Sequence, residues 1–136
     1  MKARFFRHLL HGGNDPESEL VYRKHIVCRR ASGFVDAEKQ TIDDYVTAAT
    51  HLAGSMASRG FDDTYPIPVD RFGELLGGAH RTACALVADC PDVPVLMYED
   101  RAAWAPPWGR DWFETYAFDV ERIEADWNAL RGRDGF

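Results

Sequence analysis

The 136-residue sequence predicts an α+β fold: a small mixed sheet packed by helices, with extra helices at both ends. Three observations carry that prediction. Apolar residues recur at helical spacing in separate segments near residues 3–11, 41–58, 79–88 and 119–130. Two apolar runs punctuated by proline, Tyr65-Pro66-Ile67-Pro68-Val69-Asp70 and Val93-Pro94-Val95-Leu96-Met97-Tyr98, read as strands. Between them lies Leu75-Leu76-Gly77-Gly78-Ala79-His80-Arg81-Thr82-Ala83, an apolar run that stops at two glycines and turns into a helix.

The first helix places Phe5, Phe6, Leu9 and Leu10 on one face and stops at Gly12-Gly13-Asn14-Asp15-Pro16. Its apolar face docks on the chain's own core or makes a homodimer. Leu20 to Cys28 fits neither the strand nor the helix period, and Ser32-Gly33 marks a turn after it. Thr41 is an N-cap with Asp44 at the capping-box position. Tyr45, Ala48, Ala49, Leu52 and Met56 then form a core-facing stripe, ended by Arg59-Gly60. Glu74-Leu75-Leu76 is expected to pair back on the Tyr65–Asp70 strand as a hairpin, after the turn at Arg71-Phe72-Gly73. In the helix that follows, Ala83, Leu86 and Val87 point inward, and Pro91 stops it. Val93 to Tyr98 reads as the clearest buried strand. Trp112, Phe113 and Tyr116 follow the irregular Trp104-Ala105-Pro106-Pro107-Trp108 at helical spacing, a row that packs as core or flap, or stacks on a base or sugar. Asp119 caps a last helix whose stripe is Val120, Ile123, Trp127 and Leu130.

Size and composition narrow the function. No linker or repeat divides the chain, so residues 1–136 read as one domain with an ordinary soluble composition of 46% apolar and 28% charged residues. A net charge of −6 argues against a sequence-independent grip on nucleic acid, which needs a basic surface. Cys28, Cys84 and Cys90 are an odd number without a CxxC pair, so neither a disulfide framework nor a structural metal is indicated, and a reducing, cytoplasmic setting fits. No apolar run approaches a membrane span, and none reads as a secretory leader.

The glycine turn has the chemistry of an anion site. At a helix start the first N–H groups lack carbonyl partners, the helix dipole is positive, and glycine permits close approach. His80 and Arg81 add side-chain donors there. The same pattern also serves as an ordinary strand-to-helix turn.

The order of motifs resembles the ParB/sulfiredoxin-like superfamily. Ser55 to Gly60 matches that family's Ser-x-x-x-Gly helix end. Pro66 to Val69 matches its Pro-Ile-x-Val strand, Gly78-Ala79-His80-Arg81 its Gly-x-His-Arg turn, and Val93 to Val95 its Val-Pro-Val strand. The match covers about residues 44–98 and leaves both flanks unexplained. The resemblance implies a nucleotide phosphate cradle of Gly77, Gly78, Ala79, His80, Arg81 and Thr82. It also implies that His51 and Ser55, otherwise an exposed polar face, turn toward it.

Three activities occur in this superfamily. Sulfiredoxins are ATP-dependent reductases with a cysteine before the histidine, where this chain has Ala79, which cannot act as a nucleophile. ParB proteins are CTP-binding DNA clamps with a helix-turn-helix domain after the nucleotide domain, and no residues remain here for that second domain. The small-molecule kinase branch is left. It implies ATP or another nucleotide, Mg²⁺, and phosphoryl transfer to a hydroxyl of a small metabolite such as a sugar or amino-alcohol. Its base is sought among Asp36, Glu38, Asp70 and Glu74, with His80 beside the phosphate. The residues from Tyr22 to Lys39, including His25, Arg29 and Lys39, supply the acceptor side. The alternative is a non-catalytic nucleotide-binding or protein-interaction module that uses Trp104, Trp108 and Trp112.

Overall fold

The computed structural model describes residues 1–99 and 108–131. Its elements run α1 (Lys2–His11), α2 (Pro16–Ala31), α3 (Ile42–Arg59), β1 (Ile67–Asp70), α4 (Ala79–Val87), β2 (Val95–Tyr98), α5 (Arg110–Thr115) and α6 (Val120–Arg131). The fold is mixed α+β and mostly helical, with a two-stranded parallel sheet. Among the described residues no helix is long and apolar enough to cross a membrane.

Local chemistry sets most helix ends. Gly12 closes α1 in the left-handed region at φ 61°, which costs glycine little. Asp15 caps α2 by accepting from the Ser18 N–H, and Pro16 fills the first helical position, where a missing N–H is harmless. The Arg4 guanidinium grips both Asp15 oxygens at 2.7 and 2.8 Å, tying α1 to the start of α2. Thr41 and Asp44 form the full capping box at the start of α3, as their spacing predicts. Asp119 accepts from the Arg122 N–H at the start of α6.

The ambiguous stretch from Leu20 to Cys28 is helical throughout. Burial shows why: Tyr22, His25, Ile26 and Arg29 lie at helical spacing on the inner face of α2. Polar His25 and Arg29 on that face blur the apolar period.

Helix α1 is central to the packing. Phe5 and Phe6 are fully buried, and the Phe5 ring stacks on Tyr22 with centroids 4.4 Å apart. The core they enter also holds Ile26, Tyr45, Ala49, Ala53, Met56, Cys84, Ala85 and Val87, so α1 meets α2, α3 and α4. The apolar face that the sequence left open to a homodimer is thus filled within the chain.

Strands β1 and β2 are joined through α4, the crossover a parallel pair requires. Ile67 registers with Val95 and Asp70 with Tyr98. Four expectations are corrected here. Glu74 to Leu76 is not a strand but a single antiparallel bridge, Val69 to Leu75, with the Leu76 N–H donating to the Pro68 carbonyl. All four residues of β2 are exposed, because a strand at the edge of a two-stranded sheet keeps an open side and α4 uses its apolar face on α1 and α3. Leu86 of α4 and Trp127 of α6 also face outward; Cys84 and Ala85 take the inward positions of α4 instead.

Candidate functional site

A cavity of about 500 Å³ opens where α1, α2, α3 and the start of α4 meet. That size suits one small organic ligand. Four walls line it, and each follows from the packing above.

The first wall is the glycine turn. Gly77, Gly78, Ala79 and His80 all face the cavity. Gly78 sits at φ 69°, and a Cβ there would come within 2.8 Å of Ile67 Cδ1, so only glycine brings the turn this close to β1. The first helical bond of α4 runs from the Thr82 N–H to the Gly78 carbonyl at 2.9 Å. The N–H groups of Ala79, His80 and Arg81 therefore have no carbonyl partner among the described residues, and no side chain caps them.

The second wall is cationic. Lys2 from α1, Arg29 from α2 and Lys39 from the α2–α3 connection all line the cavity. Arg29 is only 7% exposed, its Nε is buried without a hydrogen-bond partner among the described residues, and its guanidinium packs against the Phe34 and Trp108 rings, 4.1 and 4.3 Å from their centroids. Burial pulls its pKa below the ordinary arginine value. Lys2 is lowered to about 8 by burial and then by the Arg29 charge.

The third wall is Asp36, the single carboxylate among the described lining residues. Its Oδ2 accepts from Lys39 Nζ at 2.8 Å and its Oδ1 from the Glu38 N–H at 2.9 Å, and Lys39 first among these holds the carboxyl below its usual range. The fourth wall is apolar: Tyr45, Ala48, Ala49 and Leu52 of α3, with Leu75 and Leu76.

His80 links these walls as a neutral group. Burial lowers it to about 3, with Lys2, Arg29 and Lys39 acting in the same sense. Its Nε2 lies 3.0 Å from the Tyr22 hydroxyl, which is also 3.4 Å from the Tyr45 carbonyl. His80 therefore offers hydrogen bonding, not positive charge.

Several sequence-based candidates lie elsewhere. Arg81 turns away from the cavity: its guanidinium donates to the Tyr65 and Pro66 carbonyls, clasping the segment that enters β1. The helical rotation of about 100° per residue carries Arg81 off the face that His80 occupies. Thr82 bonds back to the Gly78 carbonyl at 3.2 Å. His51 is exposed, and Ser55 accepts from Arg59 at 2.9 Å; the cavity-facing residues of α3 are Ala48, Ala49 and Leu52 instead. Glu38 is exposed. Asp70 is fully buried away from the cavity lining, its Oδ1 accepting from the N–H groups of Phe72 and Glu74, both at 2.9 Å, to close the turn after β1.

Among the tryptophans, Trp104 lies outside the described residues. Trp108 and Trp112 pack with Phe113 and Phe118 around buried His25, so this row is a packed cluster, and Trp108 also lines the cavity beside Arg29. Cys84 is fully buried, which raises its thiol to about 12 and makes it inert. Among the described residues no group of three or more His, Cys, Asp or Glu side chains gathers as a metal site.

Lys2 is a lining residue that sequence reasoning passed over, and Tyr22 and Phe34 lay within the expected acceptor-side segment without a role of their own. Tyr22 and Arg29 are seven positions apart, two helical turns on one face, so a helical assignment of α2 exposes Arg29 as a buried charge. Lys2 carries no such signal, because its place follows from how α1 docks. No protein-family model, curated protein or solved structure matches the chain.

Proposed function

We propose that this is a nucleotide-dependent phosphotransferase of ParB/sulfiredoxin-like fold that acts on a hydroxyl of a small metabolite. One observation carries the reading. A buried Arg29 whose Nε has no hydrogen-bond partner among the described residues lines a cavity that a glycine turn also lines, its first N–H groups without carbonyl partners among those residues. An uncompensated buried guanidinium is costly, and a phosphate gives it the partner the chain withholds. The β1, glycine turn, α4, β2 order agrees with the motif order that the resemblance rests on.

The residues present suit a bound nucleotide. The N–H groups of Ala79 and His80, with Arg29, Lys2 and Lys39, hold phosphate oxygens, and the apolar wall of Ala48, Ala49 and Leu52 accepts the less polar part of the ligand. Mg²⁺, where bound, supplies charge neutralisation on the phosphates. In the transfer, an acceptor oxygen forms its bond to phosphorus as the nucleotide's terminal P–O bond breaks, and the acceptor's proton passes to a carboxylate. Of the candidate bases, Asp36 is the one on the cavity wall. Lys39 keeps it ionised and oriented, and the same ion pair lowers its basicity, so the proton passes to it as Lys39 turns to the transferring phosphate.

The second reading, a binding module without turnover, is favoured by one feature. Both Asp36 oxygens are already engaged, by Lys39 and by the Glu38 N–H. Incubation of the protein with ATP, ADP or CTP, Mg²⁺ and a pool of sugars and amino-alcohols, followed by mass spectrometry, separates the two. The expected result is a phosphorylated metabolite that Asp36→Asn abolishes while nucleotide binding persists. Binding with no product from the wild-type protein leaves the module reading in its place.

A further inference from the structure

Two cations of the cavity wall stand outside any ion pair among the described residues. Lys39 is matched by Asp36 at 2.8 Å, and His80 is neutral. Lys2 and Arg29 make no ion pair with any described residue. Arg29 is more than nine-tenths buried, with its Nε unpartnered. Lys2 is placed against its own helix: it sits in the first turn of α1, which has no acidic residue, where the helix dipole disfavours a cation.

Resting on the reading of this cavity as a phosphoryl-transfer site, we propose that Lys2 and Arg29 hold the group that is transferred, as the nucleotide's terminal phosphate before transfer and as the acceptor's phosphomonoester dianion after it. The charge count selects it. A phosphomonoester carries about −1.5 to −2 at neutral pH, enough to meet both cations. A carboxylate or sulfate ester carries one negative charge and leaves one cation buried without a partner. The planar fork of Arg29, held against Phe34 and Trp108, meets two oxygens of the group, and the more compact Lys2 ammonium meets the third.

Phenyl phosphate and phenyl sulfate have nearly the same shape and differ in charge, so calorimetric titration of both at neutral pH and fixed ionic strength tests the assignment. Wild-type protein is expected to bind phenyl phosphate at least about tenfold more tightly. Lys2→Met, which keeps an apolar stem of similar length, is expected to bring the two affinities within about threefold. Arg29→Lys, which keeps the charge and loses the fork, weakens both ligands and retains the preference. Thermal unfolding of each variant confirms a folded protein. Equal binding of the two anions by the wild-type protein, or a preference unchanged in a folded Lys2→Met protein, overturns the subsite.

Parallel titrations with ATP, ADP and CTP separate this inference from the reading beneath it. Nucleotide binding without a dianion preference overturns the subsite alone. A dianion preference without nucleotide binding supports the subsite and overturns the nucleotide reading. If neither phenyl phosphate nor any nucleotide binds, both fall.

Discussion

Replacing Arg29 with methionine is expected to weaken nucleotide binding by at least about thirtyfold while leaving the protein as stable as before, or more so. The two halves of that result share one cause. The guanidinium is buried, with its Nε unsatisfied among the described residues and the Lys2 charge nearby. Replacing a buried charge with an apolar side chain of similar volume is often neutral or stabilising. Methionine packs against the same Phe34 and Trp108 rings and makes favourable sulfur–aromatic contacts there, which offset the lost cation–π contacts. With a phosphate bound, the same substitution removes a charge-assisted fork, a loss of about 2 kcal/mol or more. Calorimetric binding and thermal unfolding on the same preparation measure both halves. A stability loss of several kcal/mol together with unchanged binding would make Arg29 a structural residue.

Gly78→Ala is expected to destabilise the fold by about 2 kcal/mol, and by more if Ile67 cannot shift. Alanine at φ 69° incurs the left-handed penalty, and its Cβ would stand 2.8 Å from the Cδ1 of Ile67, itself 1% exposed. Gly54→Ala is the control. Gly54 lies inside α3, and a Cβ added there would meet nothing within 4 Å, so alanine stabilises by about 0.5–1 kcal/mol through helix propensity and a less flexible unfolded chain. Urea unfolding of both variants gives opposite signs if the turn is held as described. Equal, small effects would mean that the turn relaxes freely.

Much of the fold was legible in the sequence, and the reasons differ by element. The caps of α3 and α6 are local hydrogen-bond chemistry, so Thr41, Asp44 and Asp119 could be read from spacing alone. The glycine turn was legible because Gly77 and Gly78 interrupt an apolar run just before a helix. Helix α2 was not, since His25 and Arg29 occupy positions where a period count expects apolar residues. The exposure of β2 was not either: Val95, Leu96, Met97 and Tyr98 have the composition of a buried strand, and composition does not tell whether a second layer covers it.

The site was legible only in part. Gly77, Gly78, Ala79 and His80 line the cavity because they are neighbours in sequence and turn together. Burial holds His80 neutral, and Arg81 is drawn to the carbonyls of Tyr65 and Pro66, outcomes that depend on tertiary packing. The positive charge of the cavity comes instead from residues 2, 29 and 39, which only the docking of α1 against α2 brings together.

The most direct measurement is a titration of isotopically labelled protein with ATP, following the backbone amides and the arginine Nε–H groups by NMR. The expected result is saturable shifts at the amides of Ala79, His80 and Arg81 together with the Nε–H of Arg29, and little change at His51 and Ser55 on the outer part of α3. Shifts centred on His51 and Ser55, with the Arg29 Nε–H unmoved, would contradict the placement of the anion in this cavity.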